Sequence, residues 1–162
     1  MVVLGVAPGL SELAYAVLAY HSGALQADPV DSDVLHAGRG PVPTSIWQIT
    51  TRSRVHHMLL GIVCERHTPA LMVLGPAVKP KEPIEHVQAV RLILRAIAAG
   101  LHIPVVELPE KADMLLALGA DQRSWRRAVT DGLRQPLASQ DRRIVLATAS
   151  AIAGVRSYRK VA

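Results

Sequence analysis

Residues 2–20, VVLGVAPGLSELAYAVLAY, decide the fold of this chain. An apolar, β-branched run at 2–6 is stopped by Pro8-Gly9, and a second apolar run follows at 13–20. Short apolar runs separated by turn residues predict two buried strands joined by a tight connection. Because only antiparallel neighbours are joined so closely, the segment predicts a hairpin from which the sheet is built outward.

The residues beyond the hairpin predict a mixed sheet covered by helices. A third strand is expected at 24–36, bent near Pro29, and GRGPVP at 38–43 predicts a loop. Further strands are expected at 71–74 and 103–108, and helices at 44–67, 83–100, 111–118, 121–133 and 139–158. The order β-β-β-α-β-α-β-α predicts an α/β fold with a five-stranded mixed sheet, its first three strands antiparallel and its helices on both faces. No linker divides the chain, so residues 1–162 are expected to form one domain.

Two of the predicted helices differ in how their apolar residues are distributed around the helix. Thr44 is the expected N-cap of the first, whose apolar stripe is Ile46, Ile49, Val55, Leu59, Ile62 and Val63. Its histidines (His56, His57 and His67) are interpreted as part of a polar face, since no zinc-ligand spacing accompanies them. Helix 83–100 is apolar on more than one side, and two interpretations stay open: burial within the core, or a subunit interface.

Composition excludes several classes of protein. Half of the 162 residues are hydrophobic and 19% are charged, which argues against disorder. Cys64 is the single cysteine, so no internal disulfide forms. No apolar run approaches the ~20 residues of a membrane span, and the N-terminus lacks the pattern of a secretion signal. The expected location is intracellular: cytoplasmic, organellar or nucleoid-associated.

Positive charge is concentrated at one end of the chain. Residues 1–120 hold nine basic and ten acidic side chains, whereas residues 121–162 hold nine basic and three acidic ones. Such asymmetry is typical of a surface that meets phosphate. A solvated arginine-rich surface without a ligand remains the alternative.

Several segments together resemble RuvC-type Holliday junction resolvases, a family with the ribonuclease-H-like fold. VVLGVAPGLSELAYAVL resembles the family's first hairpin, TPALMVLGP its central strand and HIPVVEL the strand that follows. LGADQRSWRRAV resembles the start of a basic helix, and QDRRIVLATASAI the closing helix. The segments occur in the family's order over nearly the whole chain.

The resemblance implies a chemistry whose residues are largely missing here. In the family, four carboxylates hold two Mg²⁺ or Mn²⁺ ions for phosphodiester hydrolysis. The corresponding positions are Ala7, Gly75, Asp141 and Ile144, of which only Asp141 is acidic. The resemblance therefore implies a degenerate, catalytically inactive member with no metal site, which binds structured or branched DNA such as a four-way junction in recombination or repair.

Candidate DNA contacts lie at three places. Arg123, Trp125, Arg126 and Arg127 open a predicted helix, where the arginines meet phosphate and Trp125 either stacks on a base or packs inward. Arg142 and Arg143 lie where the family's acidic centre would be; they either hold phosphate or pair with Asp141. Lys79 and Lys81 lie in a proline-bounded loop, and either touch the DNA backbone or are solvated.

Two other functions stay open, and the resemblance adds a partner. A ribonuclease-H-like structural or partner-binding subunit is one alternative. The other is a metal-dependent junction endonuclease with a relocated site at Glu12, Glu107 or Asp141. The family resemblance also implies a homodimer, for which helix 83–99 is the candidate interface.

Overall fold

The computed structural model describes residues 1–37 and 43–161. The predicted loop at 38–43 lies outside these residues except for Pro43. Within the described residues the strands are β1 (Val2–Ala7), β2 (Glu12–Ala19), β3 (Asp28–His36), β4 (Leu71–Leu74) and β5 (Val105–Glu107). The helices are α1 (Ile46–His67), α2 (Ile84–Gly100), α3 (Lys111–Leu118), α4 (Trp125–Asp131) and α5 (Arg142–Val161).

The sheet has the predicted mixed topology, with the strand order β3-β2-β1-β4-β5. β1 pairs antiparallel with β2, and β2 antiparallel with β3. β1 pairs parallel with β4, and β4 parallel with β5. The prediction of an antiparallel half followed by a parallel half is confirmed.

Helices cover both faces of the sheet, as expected. One face packs its aliphatic side chains against α1 and α2, and the other packs against α3, α4 and α5. The alanine-rich α5 lies especially close to β1: a Cβ at Gly5 would come within 2.2 Å of the Ala147 carbonyl oxygen. A chain without phenylalanine thus builds its core from aliphatic residues and from small residues that let the helix approach the sheet.

The starts of β3, α4 and α5 differ from the sequence prediction for local reasons. β3 begins at Asp28 rather than residue 24, and its register with β2 shifts between Val17 and Leu18, beside Pro29, which has no N–H for the ladder. α4 begins at Trp125 because the Asp121 carboxylate holds residues 121–124 in a turn. α5 begins at Arg142 because Asp141 Oδ1 accepts the Arg143 N–H at 2.9 Å.

The predictions for α1 were wrong in its cap and in its buried face. Ser45, not Thr44, is the N-cap, and its hydroxyl accepts the Gln48 N–H. The buried residues are Ser53, His56, Leu60, Val63 and Cys64. Ile46 and Ile62, expected in the core, are exposed. His56, expected on a polar face, is fully buried because the β1–β2 turn supplies a hydrogen-bond acceptor for it.

α2 buries one face in the core and leaves apolar side chains exposed on the other. The structure therefore agrees with burial for one side of the helix and leaves the subunit interface open for the other. Val87, Val90, Leu94, Ile97 and Ala98 are buried against α1 and the sheet. Ile84 and Leu92 are each 65% exposed on the outer side. No helix among the described residues is long and apolar enough to cross a membrane.

Candidate nucleic-acid interface

The carboxyl ends of β1 and β4 lie side by side, and α5 crosses them. The Gly75 N–H donates to the Val6 carbonyl at 2.8 Å, which joins the two strand ends. Ala7 is fully buried there with Ala14, Ala16 and Ala147. Ile144, the last of the four positions compared with the resolvase pattern, is 6% exposed. Three of those four positions therefore hold apolar groups or no side chain.

Ser150 of α5 occupies the space into which a side chain at position 75 would project. A Cβ built on Gly75 would lie 1.9 Å from Ser150 Oγ and 2.6 Å from Ser150 Cβ. The Ser150 hydroxyl donates to the Leu146 carbonyl at 2.8 Å within the helix. This buried contact leaves no room for a carboxylate at position 75 while Ser150 keeps its position.

Arg143 joins two carboxylates at the edge of this region. Its Nη1 donates to Glu12 Oε2 at 2.7 Å, and its Nη2 and Nε donate to Asp141 at 2.7 and 3.0 Å. The side-chain hydrogen bond from Arg143 lowers the pKa of Asp141 to about 2, and the same bond raises the pKa of Arg143. The guanidinium thus pairs with both acids, and the alternative in which Arg143 pairs with Asp141 is the one the structure shows.

This arrangement does not fit a two-cation centre. Such a centre needs several hard anionic oxygens directed at one point, whereas here Glu12 and Asp141 are directed at a guanidinium. Within residues 1–37 and 43–161, no three His, Cys, Asp or Glu side chains are grouped to hold a metal ion. Glu107, the third acid considered for a relocated site, instead accepts two hydrogen bonds from Arg95, at 3.0 and 3.1 Å.

The turn between β1 and β2 is held by the half-buried Glu82 and the buried His56, neither of which the sequence pattern assigns to this turn. Glu82 Oε1 accepts the Leu10 N–H at 2.7 Å, and burial raises the pKa of this glutamate. His56 Nε2 lies 2.8 Å from the Leu10 carbonyl oxygen, and burial lowers the pKa of the histidine, so that it donates as the neutral ring. Both contacts join residues that are far apart in the chain, so the local sequence pattern does not indicate them.

The two lysines of the β4–α2 loop differ in their surroundings. Lys79 Nζ lies 3.6 Å from Glu12 Oε1, so part of its charge is balanced within the protein. Lys81 is exposed and has no ion pair in the described part of the chain. Of the two, Lys81 is the one available to a phosphate.

The arginines of α4 are displayed on the surface. Arg123, Arg126 and Arg127 are all exposed. Arg127 lies only 4.0 Å from Asp131, a contact that is weak in solvent. The carboxylate of Asp121 accepts the backbone N–H groups of Arg123 and Ser124 and orders the turn that precedes the helix.

Trp125 does not present a stacking surface. It is 5% exposed and packs in the core formed with α3 and α5. Lys111 Nζ lies 5.3 Å and Arg126 Cζ 5.4 Å from the ring centroid, and the small exposed part of the ring lines a cavity. The expectation that Trp125 contacts a base is corrected: the alternative of inward packing holds, because this large apolar ring stabilises the short α4.

Arg142 adds an exposed basic residue at the start of α5, with acidic groups beside it. Arg142 is exposed, without an ion pair among the described residues, and it lines a cavity together with Lys111. Glu107 and Glu110 line the same cavity. Of the exposed basic residues, which are Lys81, Arg123, Arg126, Arg127 and Arg142, Arg142 therefore has acidic groups in the cavity lining beside it.

Arg91 is the charged residue most deeply placed near this region, and sequence reasoning missed it. Its side chain is 7% exposed, and its Nη2 donates to the Gly75 carbonyl. It lies on the buried face of α2 with Val87, Val90 and Leu94. A charged residue at core spacing was the available signal, because such a residue is buried only with a partner.

Comparison with solved structures identifies the fold. Over 99% of this chain and 97% of that chain, the structure superposes on Thermus thermophilus RuvC with a TM-score of 0.80 and 21% identity. It also matches T. thermophilus RuvC in complex with Holliday junction substrate, with a TM-score of 0.78, 20% identity and coverage of 99% and 96%. The fowlpox virus Holliday junction resolvase gives a TM-score of 0.51 and 15% identity over both full chains.

These similarities establish the RuvC-like, ribonuclease-H-like fold that the sequence predicts. No protein-family model and no curated protein matches the sequence. At this level of identity the shared architecture carries no residue roles across.

Proposed function

We propose that this chain binds branched DNA, such as a four-way junction, without cutting it. The fold is that of proteins solved as junction resolvases, one of them with its junction substrate. The exposed arginines of α4 and the start of α5 supply positive charge suited to phosphate. Because the ligand is DNA, we expect the protein to act inside the cell.

The Arg143 bridge is the observation that carries the proposal of binding without cleavage. The Arg143 guanidinium engages Glu12 and Asp141, so neither carboxylate is directed at a point where a metal ion could be held. It cannot activate a water molecule as a metal does, because arginine stays protonated and offers no coordination site. Together with the alanine and glycine at positions 7 and 75, it favours a protein that recognises a junction and leaves it intact.

We further propose that the chain acts as a homodimer through α1 and α2. These helices pack on each other over one face of the sheet. On their outer sides Trp47 is 75% exposed, Met58 62% and Leu92 65%. Exposed apolar side chains on two adjoining helices favour association with a second copy, which would present two basic surfaces to a symmetric junction.

The decisive experiment is a titration with a labelled four-way junction and a matched duplex, at two salt concentrations and with Mg²⁺ or Mn²⁺ present. Binding and cleavage are read from the same samples. We expect salt-sensitive binding that favours the junction, with the DNA intact. Absence of binding at low salt would favour the partner-binding subunit, and a metal-dependent cut would favour the endonuclease with a relocated site.

The matched variant for this experiment is Asp141→Ala. If the intact protein cuts DNA, loss of cutting in this variant would locate the metal at the remaining carboxylate. If the protein only binds, we expect the variant to bind the junction as the parent does, because Asp141 is occupied by Arg143 rather than by DNA.

A further inference from the structure

A cavity of about 560 Å³ opens beside the strand ends, next to the Arg143 bridge but lined by other residues. It is enclosed by the segment after β4, the side of α2, the end of β5 and the beginnings of α4 and α5. Its size lies within the roughly 300–1,000 Å³ typical of small-molecule sites. None of the residues that form the Arg143 bridge lines it.

Part of the cavity lining is apolar. Val87 and Ile84 of α2 and Leu146 of α5 contribute to it. Val78, Trp125 and three prolines add further apolar surface. A largely apolar ring suits this part of the lining, since small-molecule sites are mostly apolar with a few placed polar groups.

Arg91 is the most deeply buried charged side chain in the cavity lining. Its side chain is 7% exposed, and its Nη1 has no hydrogen-bond partner in the described residues. The nearest acid is Glu107, whose Oε1 lies 3.8 Å away, beyond hydrogen-bond distance. A buried guanidinium nitrogen without an acceptor favours a ligand that brings one, with a small shift of the side chain to reach it.

Two more cations lie at the α5 end of the cavity. Arg142 and Lys111 both line it, and Lys111 Nζ also lies above the Trp125 ring. Arg and Lys together are a common pair for a phosphate group, the first by paired hydrogen bonds and the second as a point charge. This end is therefore suited to a phosphate.

The cavity lining also contains carboxylates, so a ligand must offer more than a negative charge to fit it. The Glu107 carboxylate accepts hydrogen bonds from Arg95, and the Glu82 carboxylate accepts the Leu10 N–H, while the Glu110 carboxylate has no hydrogen-bond partner among the described residues. These carboxylates repel a second anionic group and accept hydrogen bonds from N–H donors. A ligand that carries one phosphate and a ring with exocyclic amino groups suits this mixture of cations and carboxylates.

We propose that this cavity binds a nucleoside monophosphate, with its phosphate at Arg142 and Lys111 and its base toward Arg91, where a base acceptor atom meets the unpartnered Nη1. The nucleotide is either free or an unpaired nucleotide of a bound DNA strand. Only in the second case does the inference rest on the proposed function.

Calorimetry with the four deoxynucleoside monophosphates tests the proposal, with deoxyadenosine and inorganic phosphate as partial ligands. A Trp47→Phe background leaves Trp125 as the single tryptophan, so its fluorescence reports on the cavity. We expect saturable binding of at least one nucleotide, which neither partial ligand matches. Arg142→Ala, at an exposed position, should weaken the binding about tenfold, and Arg54→Ala, on α1 outside the cavity, should leave it unchanged.

The proposal is overturned if no nucleotide binds at millimolar concentration, if phosphate alone binds as tightly, or if Arg142→Ala and Arg54→Ala have equal effects. Competition between a saturating nucleotide and junction DNA would identify a DNA strand as the source. Independent binding of the two would identify the free nucleotide. Because the nucleotide titration contains no DNA, its failure is distinguishable from failure of junction binding.

Discussion

Two neighbouring regions of this molecule carry polar groups in opposite ways. At the strand ends beneath α5, Ala7, Gly75 and Ser150 pack without free space, and Arg143 is fully engaged by two carboxylates. On α4, the arginines project into solvent with weak partners or none. The first region contributes to stability and the second leaves its charge available for the proposed DNA contact, although both lie where the resolvase resemblance expects function.

The largest expected effect comes from placing a carboxylate into the packed region. Gly75→Glu forces a side chain against Ser150 and buries a charge, so we expect a loss of about 3 kcal/mol or more in the free energy of unfolding, measured with urea. Gly100→Glu is the matched control, because nothing lies within 4 Å of that Cβ position. Equal stability of the two variants would show that the strand ends are not tightly packed.

Relief of the same contact sharpens this prediction. Gly75→Ala alone should be destabilising because of Ser150, and the double variant with Ser150→Gly should recover part of the loss. If the loss in the free energy of unfolding for the double variant equals the sum of the losses for the two single variants, the proposed contact is contradicted.

The exposed region is tested by its effect on DNA affinity rather than on stability. Arg123→Ala combined with Arg127→Ala should weaken junction binding about tenfold at moderate salt and reduce the slope of log affinity against log salt by about 2. Fluorescence anisotropy measures both quantities. Arg54→Ala, an exposed arginine on the opposite side of the sheet, is the control, and a similar loss there would mean that α4 is not the interface.

The variant Arg143→Met tests whether the strand-end region affects stability without affecting DNA affinity. At neutral pH the variant should lose about 1 kcal/mol of stability, since the pairs are partly exposed and screened. The folded-state pKa of Asp141, about 2, lies below its ordinary value of 3.8. The stabilisation is therefore present above pH 4 and lost as the pH falls through 2, and the difference from the parent should shrink over that range.

Junction affinity of Arg143→Met should stay within about twofold of the parent, because its donors already have acceptors inside the protein. Urea denaturation at several pH values and anisotropy at neutral pH give the two readings. A strong loss of DNA affinity with little loss of stability would reverse the roles assigned to the two regions.

The smallest expected effect on stability concerns the outer face of α2. Leu92→Asp replaces an exposed side chain and should change the free energy of unfolding of the monomer by less than about 0.5 kcal/mol. If the chain dimerises through this face, the same change should shift the mass measured by light scattering from dimer to monomer. A parent protein that is monomeric at all concentrations tested would remove the proposed dimer.

The sequence predicts the architecture well because the apolar runs are short, strong and separated by turn residues. Residues 2–20 specify the first hairpin, and Pro83 marks the start of α2 at Ile84. Side-chain burial was harder to predict. His56 and Arg91 are polar residues in the core, each placed by a backbone carbonyl from a distant segment, and no periodicity within a helix encodes such partners.

The candidate site shows the same division. The absence of carboxylates at 7, 75 and 144 follows directly from the aligned segments, and the Asp141–Arg143 pair is local enough to be considered from sequence. The link from Arg143 to Glu12 joins residues far apart in the chain, and Trp125 packs inward because of the core beneath α4. Both depend on the assembled layers and not on the motif around each residue.

The contact between Ser150 and Gly75 also constrains the order in which this sequence can change over generations. A lineage that acquires glutamate at position 75 first needs a smaller residue at 150, and that intermediate step brings no catalytic benefit by itself. Substitutions at 75 larger than glycine should consequently be rare among descendants that keep Ser150. Position 150 therefore determines which changes at the strand end natural selection can reach.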